Sequence, residues 1–169
     1  MAFIRSGSNV ISFAEYADVL DLDQRLFEAN EGLTEDVVES HLIRSTERIL
    51  TEFRSTDWWT ELYLRNTQNT TVRGAVDIPE LNVNLIISRQ ADFTDLCVFH
   101  SLYYYILPNI ADFSTEDSAE RAKMGYYQQK YDRLFGQLLT LGDWYDFDAS
   151  GIIDQTDRLS GVYNLRRIR

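Results

Sequence analysis

Apolar residues recur at spacings of three and four along much of the chain, the spacing that lines one face of an α-helix. The clearest case runs from Thr34 to about Phe53, where Val38, Leu42, Ser45, Ile49 and Phe53 form one narrow stripe, while Glu39, Arg44, Glu47, Arg48 and Glu52 lie off it. Thr34 followed by Glu35 and Asp36 marks its start: a capping side chain precedes two acids set against the positive end of the helix dipole. An earlier helix is announced by Ser12-Phe13-Ala14-Glu15, which has the form of a capping box. Its pattern breaks near Asp21, resumes through Gln24-Arg25-Leu26-Phe27 and ends before Gly32; the residues ahead of Ser12 read as a loose start. A short aromatic helix is expected over Asp57-Trp58-Trp59-Thr60-Glu61-Leu62-Tyr63.

Helical periodicity fades between Asn66 and Pro79, a polar stretch that reads as a loop or as two short strands around a turn. From near Asp92 the chain is apolar almost all round, through Leu96-Cys97-Val98-Phe99-His100-Ser101-Leu102-Tyr103-Tyr104-Tyr105-Ile106. This is the expected central helix, and it should stop before Pro108, because a proline disfavours the helical conformation in the residue before it. Ser114-Thr115-Glu116-Asp117 opens the longest helix, which continues through Tyr126, Tyr127, Tyr131, Leu134, Phe135 and Leu138 to Gly142. At 1.5 Å per residue it is roughly 40 Å long, more than a small core covers, so part of it should project or pack on a neighbour. The fold expected is mainly α: a small helical bundle with a long C-terminal helix, an irregular or short-strand loop around residues 66–80 and an extended C-terminal arm. Residues 1–157 read as a single helical domain and 158–169 as a docking arm.

Composition narrows the class. The 169 residues, 44% of them hydrophobic, suffice for one core. No apolar run approaches the roughly 20 residues of a membrane-spanning helix, and Met1-Ala2-Phe3-Ile4-Arg5-Ser6-Gly7 is too short and polar for a secretory leader, so an intracellular, non-membrane protein is expected. The net charge of −11 argues against a general nucleic-acid binder, which needs a concentrated basic surface. Its distribution is uneven: Ser12 to Asp57 carries 12 acidic and 4 basic residues, whereas Arg158 to Arg169 carries four arginines and no acid.

Few residues offer chemistry. Cys97 sits in an apolar stretch and reads as a buried, inert thiol. His100 reads as a satisfied core histidine and His41 as a surface residue of its helix. With no Ser/His/Asp set, glycine-rich phosphate loop or Cys/His cluster at metal spacing, a non-enzyme is expected. Trp58-Trp59 and Tyr103-Tyr104-Tyr105 can stack on bases or sugars, but consecutive helical positions point in different directions, so they fit core or subunit contacts better.

The sharpest motif is Asp146-Phe147-Asp148-Ala149-Ser150-Gly151-Ile152-Ile153-Asp154-Gln155-Thr156-Asp157. It follows the first nine positions of an EF-hand loop, with oxygen ligands at one, three, five and nine and glycine at six. Calcium is therefore a candidate ion, with Asp146, Asp148, Ser150, Asp154 and Asp157 as candidate ligands. The pattern departs at position twelve, where Asp157 stands in place of glutamate. The alternative is a metal-free turn in which the Asp side chains cap local backbone groups. The tail Val162-Tyr163-Asn164-Leu165-Arg166-Arg167-Ile168-Arg169 interleaves large apolar and basic residues, as a docking strand would.

Leu33-Thr34-Glu35-Asp36-Val37-Val38-Glu39-Ser40-His41-Leu42-Ile43-Arg44-Ser45-Thr46-Glu47-Arg48-Ile49, the aromatic central helix ending in Leu107-Pro108, the long later helix and the Arg-rich end together resemble the adaptor, or head-completion, subunits of tailed bacteriophages. The resemblance implies a structural subunit of the virion neck, assembled in the host cytoplasm. Copies would form a ring, commonly of twelve, beneath the portal protein, extending the channel through which DNA passes without sequence-specific binding. It further implies an arm, here Tyr163, Leu165, Arg166, Arg167, Ile168 and Arg169, inserted between portal subunits. The chain is longer than a minimal adaptor and the Asp146–Asp157 loop is not something that fold requires. Another neck component, a stopper or tail-completion protein contacting other neck or tail proteins, therefore stays open. So do a calcium-binding interaction module and a compact inhibitor whose acidic surface mimics nucleic acid.

Overall fold

The chain opens with a hairpin instead of a loose end. In a computed structural model, which describes residues 3–30, 32–67, 77–111, 119–155 and 157–158, strand β1 (Ile4–Ser6) pairs antiparallel with β2 (Asn9–Ser12), matching Ser6 to Asn9 and Arg5 to Val10. Gly7 supplies the left-handed conformation (φ 64°) that so tight a turn needs. Phe3 and Phe13, which bracket the hairpin, are both buried with ring centroids 4.7 Å apart. Burial of these two rings is what anchors a segment whose local sequence carries little strand signal.

Ser12 ends β2 instead of capping a helix; its Oγ donates to the Ala14 carbonyl at 2.7 Å. The expected capping box therefore moves three residues on, and helix α1 (Tyr16–Leu22) starts after Glu15, whose N–H donates to Asp18 Oδ2 at 2.9 Å. The break falls at Asp23, before α2 (Gln24–Ala29). Asp23 is held there by tertiary contacts, accepting from Lys123 Nζ at 2.6 Å and from the Tyr127 hydroxyl at 3.3 Å.

Helix α3 (Glu35–Arg54) buries Val38, Leu42, Ser45, Ile49 and Phe53, the stripe expected, together with Thr46. Helix α4 (Asp57–Thr67) runs one turn past Tyr63. The tryptophan pair is core: Trp59 is buried with Nε1 donating to the Pro79 carbonyl at 2.8 Å, and Trp58 stacks on Trp144 at 4.6 Å. Residues 68–76 of the polar segment lie outside the described residues. Beyond them a 3-10 turn (Val83–Leu85) leads to Ile86, which bridges antiparallel to Tyr145.

Helix α5 (Gln90–Ser101) does not stop before Pro108. It passes into a π turn (Leu102–Ile106) and then into α6 (Leu107–Ile110), with the Leu107 N–H reaching back five residues to the Leu102 carbonyl. A proline inside an α-helix clashes with the carbonyl four residues back; the wider π turn just ahead of Pro108 accommodates it. Helix α7 (Ala119–Leu141) spans about 35 Å at 1.5 Å per residue; the expected start at Ser114 lies outside the described residues. Gly142 (φ 56°) closes it, donating its N–H to the Leu138 carbonyl at 3.0 Å.

The architecture is mainly helical, with the hairpin as its two-stranded sheet among the described residues. Its centre is aromatic: Phe93 meets Phe13 at 5.3 Å, Phe53 at 5.7 Å and Trp144 at 4.9 Å, and all four rings are fully buried. Each fully buried side chain of this size contributes about 1.5–3 kcal/mol. Trp144 also satisfies its indole N–H on the Leu138 carbonyl at 2.9 Å. No described helix is long and apolar enough to cross a membrane.

Candidate functional site

The Asp146–Asp157 loop hangs from a fixed point. The Asp146 N–H donates to the Leu85 carbonyl at 2.9 Å and the Ile87 N–H to the Trp144 carbonyl at 3.2 Å, so the loop leaves the core in one orientation. Ala149 (φ 58°) and Gly151 (φ 86°) then reverse the chain. This brings Asp146, Asp148 and Asp157 together, one carboxylate oxygen from each lying within 4.8 Å of the others. Asp146 and Asp157 are buried and Asp148 is exposed.

Backbone donors hold these acids. Asp146 accepts from the Ser150 N–H at 3.0 Å and the Gly151 N–H at 2.7 Å, and Asp148 accepts from Ser150 at 3.0 Å. Asp157 ties the far side, accepting from the Phe147 N–H at 2.8 Å and the Asp154 N–H at 3.0 Å. The other two candidate ligands are turned to local duties: Ser150 Oγ donates to the Ile152 carbonyl at 3.0 Å, and Asp154 Oδ1 accepts from the Asp157 N–H at 3.3 Å. Three of the five candidate ligands thus converge, each already engaged by backbone N–H groups. Tyr163, Leu165, Arg166, Arg167, Ile168 and Arg169 lie outside the described residues.

The two side chains with chemical potential are sequestered. Cys97 is fully buried against the Leu42 carbonyl and Thr46, and burial pushes its thiol up to about 12. His100 is likewise fully buried: Nδ1 shares a hydrogen bond with Ser45 Oγ at 3.0 Å, while Nε2 has no partner among the described residues. Rings of Tyr103, Tyr104, Tyr105 and Tyr131 enclose it at 5.2–5.9 Å. Desolvation, with the Arg48 charge adding, pulls its pKa down to about 4, so it is a neutral core group at pH 7.

A surface face goes beyond the sequence reading. His41, half-buried and not a plain surface residue, stacks flat on Tyr105 at 5.3 Å and an interplanar angle of 2°. Arg44 lies over the same ring at 4.8 Å, and Arg48 over Tyr104 at 5.9 Å. Positions 41, 44 and 48 share one side of α3, a pattern present in the sequence, but nothing local shows that the π turn lays two tyrosines beneath it. Between α5 and α7 runs an open groove of about 750 Å³ whose lining charges nearly balance, Arg89 and Arg133 against Asp92 and Asp132.

No known family model matches the chain, and no curated protein or solved structure shows significant similarity to it.

Proposed function

We propose that this chain is a non-enzymatic structural subunit of a tailed-phage neck, one of a ring of copies beneath the portal that joins head to tail and lengthens the DNA channel. The observation that carries the reading is α7. Of its 23 residues Tyr127, Tyr131 and Leu138 are buried, and Met124, Leu134, Phe135 and Leu139 pack half-buried beside them, leaving the opposite face of the helix open to neighbours. The net charge of −11 suits a channel component, because an acidic wall repels the phosphate backbone and lets DNA slide. A burial-locked thiol and a neutral, enclosed histidine support a role without covalent or acid–base chemistry.

Docking would run through Tyr163, Leu165, Arg166, Arg167, Ile168 and Arg169, with the arginines pairing to portal carboxylates. Electron microscopy of the purified chain mixed with its cognate portal tests this: an added ring on the portal end is expected, and a bare portal at saturating chain overturns the reading. Replacing Arg166, Arg167 and Arg169 by Ala should abolish docking, and unchanged docking would remove the arm from the account. A stopper or tail-completion role in the same neck predicts binding to the adaptor ring or the tail instead of to the portal.

A calcium-binding interaction module is the second reading, favoured by the convergence of Asp146, Asp148 and Asp157 within 4.8 Å. Calorimetry separates the two: heat on calcium addition that disappears in Asp146→Asn supports it, and no heat at millimolar calcium removes it.

A further inference from the structure

A small groove opens between the hairpin and α3. Its walls are Ile4 of β1, Ile11 and Ser12 of β2, Ala14, and Glu39 and Ile43 of α3. Ile11 is the extra residue of a bulge: Ile4 pairs with Ser12 and Arg5 with Val10, so Ile11 has no opposite number on β1 and stays 37% exposed. The groove holds about 120 Å³. Pockets that enclose small molecules run to roughly 300–1,000 Å³, so this one suits a single aliphatic side chain.

One wall is charged. Glu39 is half-buried, and it has neither a hydrogen bond nor an ion pair among the described residues. A carboxylate set into an apolar wall loses hydration without gaining a partner, so the groove favours a cation that arrives beside an apolar group. Glu35, one turn earlier on α3, is exposed and likewise unpaired among the described residues, and it extends the acidic edge. Arg5 of β1 is turned to Asn84 instead, its Nη1 donating to Oδ1 at 3.1 Å.

The chain itself carries a segment of that chemistry. The eleven residues after Arg158 contain three arginines and no acidic side chain, against 12 acidic and 4 basic residues between Ser12 and Asp57. They lie outside the described residues. In extended form alternate side chains share a face, so Leu165 and Arg167 stand together about 6.6 Å apart while Arg166 and Ile168 face the other way. An apolar anchor with a cation two positions on matches a groove for one side chain with a carboxylate in its wall. Among the described residues β1 pairs on one side only, leaving an edge whose main-chain groups an extended segment can meet. We infer that residues 162–169 of this chain dock in the groove between the hairpin and α3, Leu165 filling it and Arg167 pairing with Glu39. The contact belongs to the chain free of the portal and does not rest on the neck reading; a portal that takes the arm draws it out of this groove.

Methyl NMR of the full chain with a spin label on the arm tests this. Cys97 is fully buried, so Asn164→Cys supplies the one exposed thiol for a nitroxide, on the strand face away from Leu165. The Ile4, Ile11 and Ile43 methyl signals should broaden with the label oxidised and recover when ascorbate reduces it. Glu39→Arg should lower the docked population about tenfold and remove most of the broadening. Adding Arg167→Glu reverses the pair and should restore it. Unmoved signals from the core residues Ile49 and Ile106 show that each variant is folded. Groove methyls that stay sharp in the oxidised wild-type chain, equal broadening in Glu39→Arg, or a loss that Arg167→Glu does not restore overturns the inference. The neck reading fails separately: a portal that gains no ring ends that reading and leaves this contact standing.

Discussion

Acidification should unfold this protein partly through one histidine. His100 is enclosed by Ser45 from α3, by Tyr103, Tyr104 and Tyr105 from the π turn, and by Tyr131 from α7, whose hydroxyl donates to Glu52; the Arg48 charge adds to the desolvation. Its folded pKa of about 4 lies below the ordinary 6.5. Between these values the unfolded chain holds a proton that the folded chain does not, so stability is full above about pH 6.5 and falls as pH drops towards 4. The gap corresponds to about 3 kcal/mol, at ~1.4 kcal/mol per factor of ten in the proton equilibrium. Carboxylates titrate near the lower end of the same window, so the comparison must be with a variant that differs at this site alone. His100→Asn keeps a polar group near Nδ1 for Ser45 and cannot take up the proton. Urea unfolding at pH 7, 6, 5 and 4 should give a wild-type curve that loses about 3 kcal/mol more than that of His100→Asn. The variant is expected to be less stable at pH 7, since it leaves part of the ring's volume empty, but the readout is the difference in slope. Parallel curves would refute a histidine held neutral by burial.

Other outcomes follow from single positions. Gly142→Ala would place a Cβ 2.9 Å from Trp58 Nε1 at a left-handed backbone position, and should cost about 1–3 kcal/mol in thermal unfolding. Asp157→Ala removes the acceptor of the half-buried Phe147 and Asp154 N–H groups, so it should destabilise the chain by about 1–3 kcal/mol in all, read by urea titration. Cys97 should resist thiol-directed alkylation at pH 8 until the chain is unfolded, given a thiol pushed up to about 12; rapid labelling of the native protein would contradict its burial.

What could be read locally was read from repetition. The α3 stripe is legible because helix neighbours lie three and four residues apart in the chain as in space, and each of Val38, Leu42, Ser45, Ile49 and Phe53 is buried. The reversal at Asp146–Gly151 is equally local, with Asp146 and Asp148 accepting from the amides of residues 150 and 151. The hairpin before Ser12 was not legible, since its stability comes from Phe3 and Phe13 packing around Phe93. Nor was the passage of the central helix through Pro108, because the cost of the proline is absorbed by a π turn whose Leu102 and Ile106 are buried in the core. The loop's orientation depends on the Asp146 N–H meeting the Leu85 carbonyl and the Ile87 N–H meeting the Trp144 carbonyl, between segments far apart in the chain, and the tyrosine–arginine face on two elements meeting side by side. By itself the sequence determined most of the helices, the acidic body and the reversal at Asp146–Gly151, because each depends on neighbours along the chain. The tertiary structure alone decided which titratable groups are buried and which arginines are left facing outward, because desolvation and pairing depend on residues brought together only by folding.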